Sequence, residues 1–294
     1  MFQYACGRTL AEKYHTSLVF DLLWFSSESA NLPHAVRKLS LDKFKIDYQD
    51  ISQSELKKFN DYLLLTQTSL SIHNSFRLPD LWFKRLVYSI KYKKYYIVNE
   101  QMNFKYTPDL FNNQSDIFYL NGYWQNELYF YEIKELLLQQ FTLKIENCSR
   151  DRQLINQMKI ENSVAIHIRR GDYASSASTQ AYHGLLSLEY YKKAIEQIIK
   201  NVSDPVFYLF SDDPAWCKDN FDFPFRFYVV SNNTRNDAEE LILMSKCKHQ
   251  IIANSSFSWW AAWLNKFQEK VVITPKIWIS NSLDNPCPKE WIRI

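Results

Sequence analysis

Two kinds of apolar periodicity alternate along the second half of the chain, from about Ser163 onwards. Short runs rich in β-branched and aromatic residues, of the length that buried strands have, are VAIHI, PVFYLF, FRFYVV, HQIIA and KVVIT. Between them, apolar residues recur every three or four positions, as on one face of a helix, in SLEYYKKAIEQIIK, PAWCKDNF, DAEELILMSKC and SFSWWAAWLNKF. Repeated strand–helix alternation predicts an α/β fold with a parallel sheet that helices cover.

The first half of the chain is less regular. The opening MFQYACGRTLAEKY predicts a helix, SLVFD a strand, IFYLNGYW a strand followed by a turn, and the segment from Glu127 to Phe141 another helix. The polar stretch ENCSRDRQ, residues 146–153, separates the two halves. We therefore expect two domains, 1–150 and 151–294, with the boundary in that stretch.

The composition is that of a folded protein. Of the 294 residues, 46% are hydrophobic and 16% are aromatic, which is too apolar for a disordered chain. The net charge of +3 comes without the basic runs that nucleic-acid-binding proteins usually have. No nucleic-acid partner is therefore expected.

The cysteines and the lengths of the apolar runs indicate in which cellular compartment the protein is found. The five cysteines are odd in number, widely spaced and free of any C-x-x-C or Cys/His cluster, which favours a reduced compartment and does not predict a zinc site. No apolar run reaches the roughly 18 residues of a membrane span, and the N-terminus has no signal-peptide pattern. We expect a cytoplasmic protein, at most peripherally associated with the inner face of the membrane.

Glycine is scarce, with four residues in the whole chain: Gly7, Gly122, Gly171 and Gly184. Neither a G-x-G-x-x-G loop nor a Walker loop is present, which disfavours dinucleotide-dependent oxidoreductases and P-loop NTPases. Any phosphate recognition has to rely on arginines and on helix N-termini.

The stretch SVAIHIRRGDY, residues 163–173, places two arginines directly after a predicted strand. Open α/β sheets bind ligands at this edge, and the guanidinium groups of Arg169 and Arg170 can hold a diphosphate through paired hydrogen bonds. For an isolated pair of arginines, structural ion pairs, one of them with Asp172, are the more common alternative. A second motif favours the diphosphate.

That second motif is IIANSSFSWWAAWL, residues 251–264, which predicts a strand, a turn at Asn254–Ser256 and a helix whose first turn carries hydroxyl side chains. A helix N-terminus at the carboxyl edge of a sheet binds anions through its exposed backbone N–H groups. The alternative is that Ser255 or Ser256 only caps the helix. The tryptophans are expected mostly in the core, although one of them could form a wall against a sugar.

The sequence SDDP, Ser211–Pro214, could be a pair of metal-binding carboxylates or the start of a helix. Asp213 in the N-cap position and Pro214 in the first helical position fit the helix start. We therefore expect structural capping, together with a nucleotide contact from Asp212, and no metal site.

The two principal motifs, in this order, resemble those of glycosyltransferase family 11, the α-1,2-fucosyltransferases. HIRRGDY is similar to the family's H-x-R-R-x-D-Y motif, and LMSKCKHQIIANSSFSWWAAWL resembles its C-terminal signature. NGYWQNELYF and SLEYYKKAI also match in order and spacing. The opening MFQYACGRTLAEKY resembles the segment that follows a G-L-G-N-Q turn in the family, so we expect a bacterial member truncated before its first strand.

The resemblance implies the GT-B architecture, in which two Rossmann-like domains face each other across a cleft. Residues 1–150 would form the acceptor-side domain and residues 151–294 the domain that binds GDP-fucose. The implied reaction moves L-fucose from GDP-β-L-fucose to the 2-hydroxyl group of a terminal galactose, with inversion and without a metal or cofactor. The acceptor would be a galactose-terminated oligosaccharide or lipopolysaccharide. The alternative is a catalytically impaired sugar-nucleotide-binding or glycan-binding protein of the same fold.

Donor-binding roles also follow from the resemblance. Arg169 would hold the β-phosphate, Arg170 would support it or an internal acid, and His167 would face the guanine. Where the family usually has an aspartate before its C-terminal signature, this chain has Glu240, which makes Asp237 an alternative contact to guanine or ribose. The full set of implied donor-binding residues is His167, Arg169, Arg170, Asp212, Asp237, Glu240, Asn254, Ser255, Ser256 and Phe257.

Transfer to a hydroxyl group should need a general base. Beside Arg169 as the catalytic cation, Asp172 and His183 are the candidates for this role. The alternatives are an ion pair between Asp172 and the arginines, and a structural role for His183.

On the acceptor side, the candidates lie in the turn after the strand IFYLN. Tyr123, Trp124 and Gln125 could present an aromatic face and an amide group to galactose. Alternatively, these aromatic residues pack the first domain against the helix that begins near Glu127.

Overall fold

The computed structural model describes residues 1–22, 25, 39–59, 95–100, 103–113, 115–145, 148–221, 224–232, 234–280 and 282–294. Within these ranges, the first half contains the following helices and strands. They are α1 (Phe2–Lys13), β1 (Val19–Phe20), β2 (Gln49–Asp50), β3 (Tyr95–Asn99), β4 (Ile117–Asn121) and α2 (Lys134–Gln140). Residues 53–59 are also helical, and 3-10 helices cover Leu41–Lys43, Pro108–Asn112, Glu127–Tyr129 and Tyr131–Ile133.

One prediction for the first half needs correction. The helix predicted from Glu127 to Phe141 is too long, because its first part consists of two 3-10 turns and only α2 is α-helical. Phe130, with φ −144°, interrupts the helical backbone between those turns. Strand β3 was not predicted. It pairs in parallel with β4, from Tyr95 opposite Ile117 to Asn99 opposite Asn121.

The second half alternates strands and helices, as its periodicity predicts. The strands are β5 (Asn162–Ile168), β6 (Pro205–Ser211), β7 (Phe227–Val229), β8 (His249–Ile251), β9 (Val272–Thr274) and β10 (Ile292–Arg293). The helices are α3 (Cys148–Ile160), α4 (Gly171–Ser175), α5 (Ala177–His183), α6 (Leu188–Ile199), α7 (Pro214–Asn220), α8 (Asp237–Met244) and α9 (Ser256–Leu264). Four of these elements, α3, α4, α5 and β10, were not predicted, and α3 begins inside the polar stretch 146–153.

The six strands that the structure describes in the second half form one sheet in the order β7-β6-β5-β8-β9-β10. All five pairs of neighbours are parallel. The first strand is therefore central, and the chain winds outward from it first to one side and then to the other, which is the strand order of a doubly wound Rossmann sheet. The predicted α/β fold with a parallel sheet is confirmed.

Each face of this sheet has its own apolar core, because alternate side chains of a strand point to opposite faces. On one face, Val164 and Ile166 of β5 and Phe207 of β6 pack beneath the apolar side of α6. On the other face, Ala165 and Tyr208 belong to a core that contains α8 and α9. This second core also includes side chains from the first half of the chain.

Helix α9 lies at the centre of that shared core. Its three tryptophans are buried, as expected from the sequence. The Phe2 ring of α1 lies 4.5 Å from the Trp259 ring and 4.8 Å from the Trp260 ring, centre to centre. The Phe130 ring is stacked on Trp260 at 5.3 Å. The start of α1 is therefore packed directly against the helix that follows β8.

The cysteine side chains that the structure describes are free thiols in the interior: Cys6, Cys217, Cys247 and Cys287. Burial raises the pKa of the Cys217 thiol to about 11, so this group is protonated at neutral pH. None of the described helices combines the length and the apolar character needed to cross a bilayer.

Candidate active site

The topological switch point of the sheet lies between β5 and β8. The chain continues from β5 toward β6 and from β8 toward β9, so the connections at these two carboxyl ends diverge and open a crevice. The two strands are paired side by side, with Ile166 opposite Ile251. Arg169 and Arg170 follow β5, and Asn254–Ser256 leads from β8 into α9. The structure therefore brings the two predicted motifs to one edge of the sheet.

Arg169 is held at this edge with its side chain 34% exposed. Its Nη1 donates to Asp212 Oδ2 at 2.8 Å, and its guanidinium carbon lies 5.5 Å from the centre of the Tyr173 ring. Asp212 follows β6, so the partner comes from the end of the neighbouring strand. The permanently charged group is thus fixed where a ligand can reach it.

Arg170 has different partners. Its guanidinium carbon lies 3.9 Å from the centre of the Trp216 ring, and its Nε lies 3.4 Å from Asp213 Oδ2. Both partners belong to the start of α7, so Arg170 braces the turn after β5 against that helix. The ion pairs that the sequence allowed for both arginines are present, with Asp212 and Asp213 as acids.

Asp212 also fixes the backbone of the turn. Its Oδ1 accepts a hydrogen bond from the Arg170 backbone N–H at 2.8 Å. A Cβ atom on Gly171 would lie 2.7 Å from Asp212 Oδ2, too close for the two to coexist unmoved. Glycine at this position therefore lets Asp212 hold the Arg169 guanidinium and the Arg170 amide together.

Asp213 caps α7, as SDDP predicts. Its Oδ1 accepts from the Trp216 backbone N–H at 3.1 Å, and Pro214 occupies the first turn of the helix. Within the described ranges, no group of three or more His, Cys, Asp and Glu side chains is arranged to hold a metal ion.

His167 lies beneath the arginines, 5% exposed, on the face of the sheet toward α9. Its ring centre is 5.3 Å from that of Phe257. Burial, and after it the charge of Arg169, lower the pKa of His167 to about 3, so the imidazole is neutral at physiological pH. Its buried Nδ1 has no hydrogen-bond partner among the described residues. Such an atom is rare in a folded protein and is a candidate for contact with a bound molecule.

The N-terminus of α9 forms the other side of the crevice. Ser255 occupies the N-cap position, as the capping alternative predicts, but its side chain makes no capping hydrogen bond to the helix. Ser256 is exposed and Phe257 is partly buried. The first turn of a helix presents backbone N–H groups and the positive end of the helix dipole. This end of α9 therefore has the features of an anion site.

Asn254 anchors the surrounding loops. Its buried amide group donates to the carbonyl oxygens of His183, at 2.8 Å, and of Trp278, at 3.3 Å. Its own carbonyl accepts from the Tyr173 hydroxyl at 3.2 Å. Asn254 thus ties the end of β8 to α4 and α5, and its amide N–H groups are directed at the protein.

His183 is covered by aromatic rings. Its ring is stacked on Tyr173, with 4.7 Å between centres and 9° between planes, and the Tyr182 ring meets it edge-on at 4.8 Å. Tyr173 in turn lies next to Arg169. Asp172 is the second residue of α4, and its side chain lies outside the described atoms.

Glu240 and Asp237 are the two acids proposed to contact the guanine or the ribose, and Glu240 is the more buried of the two. It accepts a hydrogen bond from the Ser231 hydroxyl, whose oxygen accepts from the Ser211 backbone N–H at 2.8 Å. Burial raises the pKa of the Glu240 carboxyl, although the Ser231 hydrogen bond opposes this shift. Asp237 is exposed in the first turn of α8. Glu240 therefore lies beside the carboxyl ends of β6 and β7.

The acceptor-side candidates divide into buried and exposed residues. Trp124 is 2% exposed and meets Tyr129 edge-on, with ring centres 5.4 Å apart, so the packing alternative holds for this residue. Tyr123 is 49% exposed, and Gln125 is partly buried. Glu100, which no sequence pattern singled out, accepts hydrogen bonds from the backbone of this turn.

The model of the family described as Glycosyl transferase family 11 matches residues 37–294. The chain belongs to glycosyltransferase family 11. A full-length family relative, the O-antigen biosynthesis glycosyltransferase WbnK of Escherichia coli, is 31% identical over all of this chain and 96% of its own length. An alpha-1,2-colitosyltransferase of Escherichia coli is 32% identical over all of this chain and 94% of its own length. The galactoside 2-alpha-L-fucosyltransferase SEC1 of Bos taurus is 27% identical over 49% of this chain and 41% of its own length.

Proposed function

We propose that this chain is an inverting glycosyltransferase that moves L-fucose from GDP-β-L-fucose to the 2-hydroxyl group of a terminal galactose. The observation that carries the proposal is the juxtaposition of Arg169 with the N-terminus of α9 at the switch point of the sheet. Guanidinium groups and helix N–H groups are the donors that hold a diphosphate in the absence of a glycine-rich loop. The names of the relatives support an α-1,2 linkage and a deoxyhexose as the transferred sugar.

In the proposed complex, the diphosphate lies between Arg169 and the first turn of α9. Ser255 and Ser256 add hydroxyl donors to the backbone N–H groups of that turn. His167 is neutral and packs on Phe257, and we assign this pair to the guanine base.

The remaining donor-side residues act around this centre. Glu240, with Asp237 as the alternative, contacts the ribose or the guanine from the ends of β6 and β7. Asp212 supports Arg169, and Arg170 braces the turn against α7. Asn254 contributes through the loops that it anchors.

Departure of GDP leaves negative charge on the diphosphate while the fucose ring acquires oxocarbenium character. Arg169 and the N–H groups of α9 are preorganised donors, so they stabilise that charge without rearranging. We propose that no metal is needed, because Asp212 and Asp213 already bind arginines and the latter also caps α7. EDTA should leave most transfer activity in place. Complete loss of activity that Mn²⁺ restores would contradict metal independence.

Inversion requires the acceptor hydroxyl group to attack from the face opposite the leaving GDP, with loss of its proton. We assign the general base to Asp172, because the His183 ring is covered by Tyr173 and Tyr182.

We further propose the GT-B arrangement, with residues 1–150 on the acceptor side and residues 151–294 on the donor side. The parallel pair β3–β4, which forms a sheet separate from the six-stranded one, supports it. The acceptor would be a galactose-terminated oligosaccharide or lipopolysaccharide, reached in the cytoplasm at the inner face of the membrane.

The donor sugar needs a test of its own, because one relative is named a colitosyltransferase. Colitose is fucose without its 3-hydroxyl group. Parallel assays with GDP-fucose and GDP-colitose therefore measure whether the site uses that hydroxyl group. We expect GDP-fucose to be the better donor.

The deciding assay is release of GDP from GDP-fucose with and without lactose, followed by linkage analysis of the product by NMR. Acceptor-dependent release and a fucose α-linked to O2 of galactose support the proposal. Donor binding in calorimetry without acceptor-dependent release, across lactose, N-acetyllactosamine and galactosyl-N-acetylgalactosamine, would support the binding-protein alternative instead.

A further inference from the structure

The turn after β4 is built around the carboxylate of Glu100. This residue follows β3, the strand paired in parallel with β4, so both features lie at the same carboxyl edge. Glu100 Oε2 accepts hydrogen bonds from the backbone N–H groups of Tyr123, at 2.6 Å, and Trp124, at 2.9 Å. A Cβ atom on Gly122 would overlap the Glu100 side chain and lie 2.8 Å from Oε2. The turn and the carboxylate therefore fit together only with glycine at position 122.

This turn has an unfavourable local conformation. Trp124 has φ +58°, in the left-handed region that bulky residues rarely adopt. Its buried indole Nε1 has no hydrogen-bond acceptor among the described residues. Backbone in such a state persists only where its surroundings hold it, and it is concentrated at functional sites. Glu100 supplies the two hydrogen bonds that hold it.

A short chain of contacts connects the turn to the proposed donor site. The Gly122 carbonyl accepts from Gln3 Nε2 at 2.9 Å. The next residue before Gln3 is Phe2, whose ring lies 4.5 Å from that of Trp259 in α9. The start of α1 therefore lies between this turn and α9, the helix whose N-terminus we assign to the diphosphate.

The exposed groups at this edge suit a pyranose ring. Tyr123 presents about half of its side chain to solvent. The exposed amides of Asn99 and Asn121 meet at the ends of the two strands, with Nδ2 of the latter 2.9 Å from Oδ1 of the former. An aromatic face packs on the C–H groups of a sugar, and amide groups bind its hydroxyl groups.

We propose that Glu100 is a positioning residue for the sugar acceptor: it holds the strained turn in place so that Tyr123 faces the acceptor galactoside. The inference rests on the transfer reaction proposed above. Glu100 acts through the backbone that it binds and does not itself take the proton of the acceptor hydroxyl group.

The central comparison is between Glu100→Ala and Glu100→Gln. A glutamine has a carbonyl oxygen that can accept the same two N–H groups, whereas alanine cannot. We expect Glu100→Ala to raise the KM for lactose by about tenfold or more, and Glu100→Gln to restore it to within about threefold of wild type. The Kd for GDP, measured by calorimetry, should change by less than about twofold in both variants.

Glycine substitutions provide a matched pair. Gly122→Ala should reproduce the rise in lactose KM, because the added methyl group displaces Glu100 from the turn. Gly7→Ala is the control: its Cβ would meet only the flexible end of Leu18, so lactose KM and GDP affinity should both stay unchanged.

Tyr123→Ala and Tyr123→Phe test the sugar contact directly. Because the expected contact is with the ring face, phenylalanine should keep the lactose KM and alanine should raise it by about tenfold. Since Tyr123 is exposed, these variants fold even if Glu100→Ala does not.

The results separate this inference from the proposed function. If wild type transfers fucose, an unchanged lactose KM in both Glu100→Ala and Tyr123→Ala overturns this inference but not the proposed function. A loss of GDP affinity as large as the change in lactose KM also overturns it. A fall in kcat of Glu100→Gln together with a shifted pH profile would make Glu100 the base and also overturn it. If wild type shows no transfer, saturation-transfer NMR with lactose still tests it: the signal should be present in wild type and lost in Tyr123→Ala, and equal signals would overturn it.

Discussion

Arg169 and Asp212 form an ion pair at the carboxyl edge of the sheet, with 2.8 Å between Nη1 and Oδ2. The two residues come from the ends of neighbouring strands, so the pair positions a cation at the switch point. Because both side chains are partly exposed, the pair itself contributes about 0–1 kcal/mol to stability. Its value to the protein is the placement of the guanidinium group.

The two adjacent arginines should respond differently to substitution. We expect Arg169→Ala to lower kcat/KM for transfer by more than about a hundredfold, since it removes the cation that faces the diphosphate. Arg170→Ala should lower it by less than about tenfold, because that side chain binds Trp216 and Asp213. The measurement is steady-state transfer from GDP-fucose.

Arg226→Ala is the matched control for these two variants. Arg226 precedes β7 at the opposite edge of the sheet and pairs with Glu161 at 3.3 Å. Its removal should leave kcat/KM unchanged. Equal losses in the Arg169 and Arg170 variants would contradict the division of roles.

Gly171→Ala should disturb the Arg169–Asp212 pair without unfolding the protein. The added Cβ would lie 2.7 Å from Asp212 Oδ2, so the carboxylate has to move away from the guanidinium group. We expect transfer to fall by about tenfold or more while the free energy of unfolding changes by less than about 1 kcal/mol. Urea unfolding and transfer kinetics of the same preparation check both statements, and full activity in this variant would show that Asp212 does not position Arg169.

His167 should make the protein less stable in acid. Its pKa is about 3 in the folded protein, against an ordinary value of 6.5. Between pH 3 and pH 6.5 the unfolded chain binds a proton at this residue that the folded protein does not bind. The stability that the neutral buried imidazole contributes is therefore fully present above pH 6.5 and is lost as pH falls toward 3. From pH 7.5 to pH 5, this residue alone should cost about 2 kcal/mol of unfolding free energy.

His167→Gln removes that titration and serves as the reference. Urea unfolding at pH 7.5 and pH 5 should show wild type losing about 2 kcal/mol more than the variant. His249, whose pKa burial also lowers, to about 4, is present in both proteins and cancels in the difference. The same pH dependence in both proteins would mean that His167 is not buried as a neutral ring.

His183 should be replaceable by another aromatic ring. His183→Phe keeps a ring against Tyr173 and removes the titratable nitrogen atoms, so we expect kcat within a few fold of wild type and an unchanged pH profile. His183→Ala should lose more activity because the stack beside Arg169 collapses. If His183→Phe loses two orders of magnitude in kcat with normal GDP affinity, the base is His183 and not Asp172.

Much of the second half could be predicted from sequence, because strands buried on both faces are continuous apolar runs and the covering helices have a clear period. The position of the Arg170 side chain could not be predicted. It packs on Trp216 of α7, which lies nearby only because β6, the strand before α7, pairs with β5. The hydrogen bonds of the Asn254 amide to the loops around it could not be predicted either, because α4 and α5 have no strong periodicity in the sequence. Glu100 was missed for a related reason: its link to the turn at Gly122 exists only through the pairing of β3 with β4.

The most direct test of the central claim, that Arg169 and the N-terminus of α9 bind a diphosphate together, is calorimetry with GDP and GMP. We expect wild type to bind GDP about a hundredfold more tightly than GMP, because charge-assisted hydrogen bonds to the β-phosphate are lost in GMP. Arg169→Ala should abolish most of that preference while leaving GMP binding nearly unchanged. Equal affinities of wild type for GDP and GMP, or an undiminished preference in Arg169→Ala, would contradict the account.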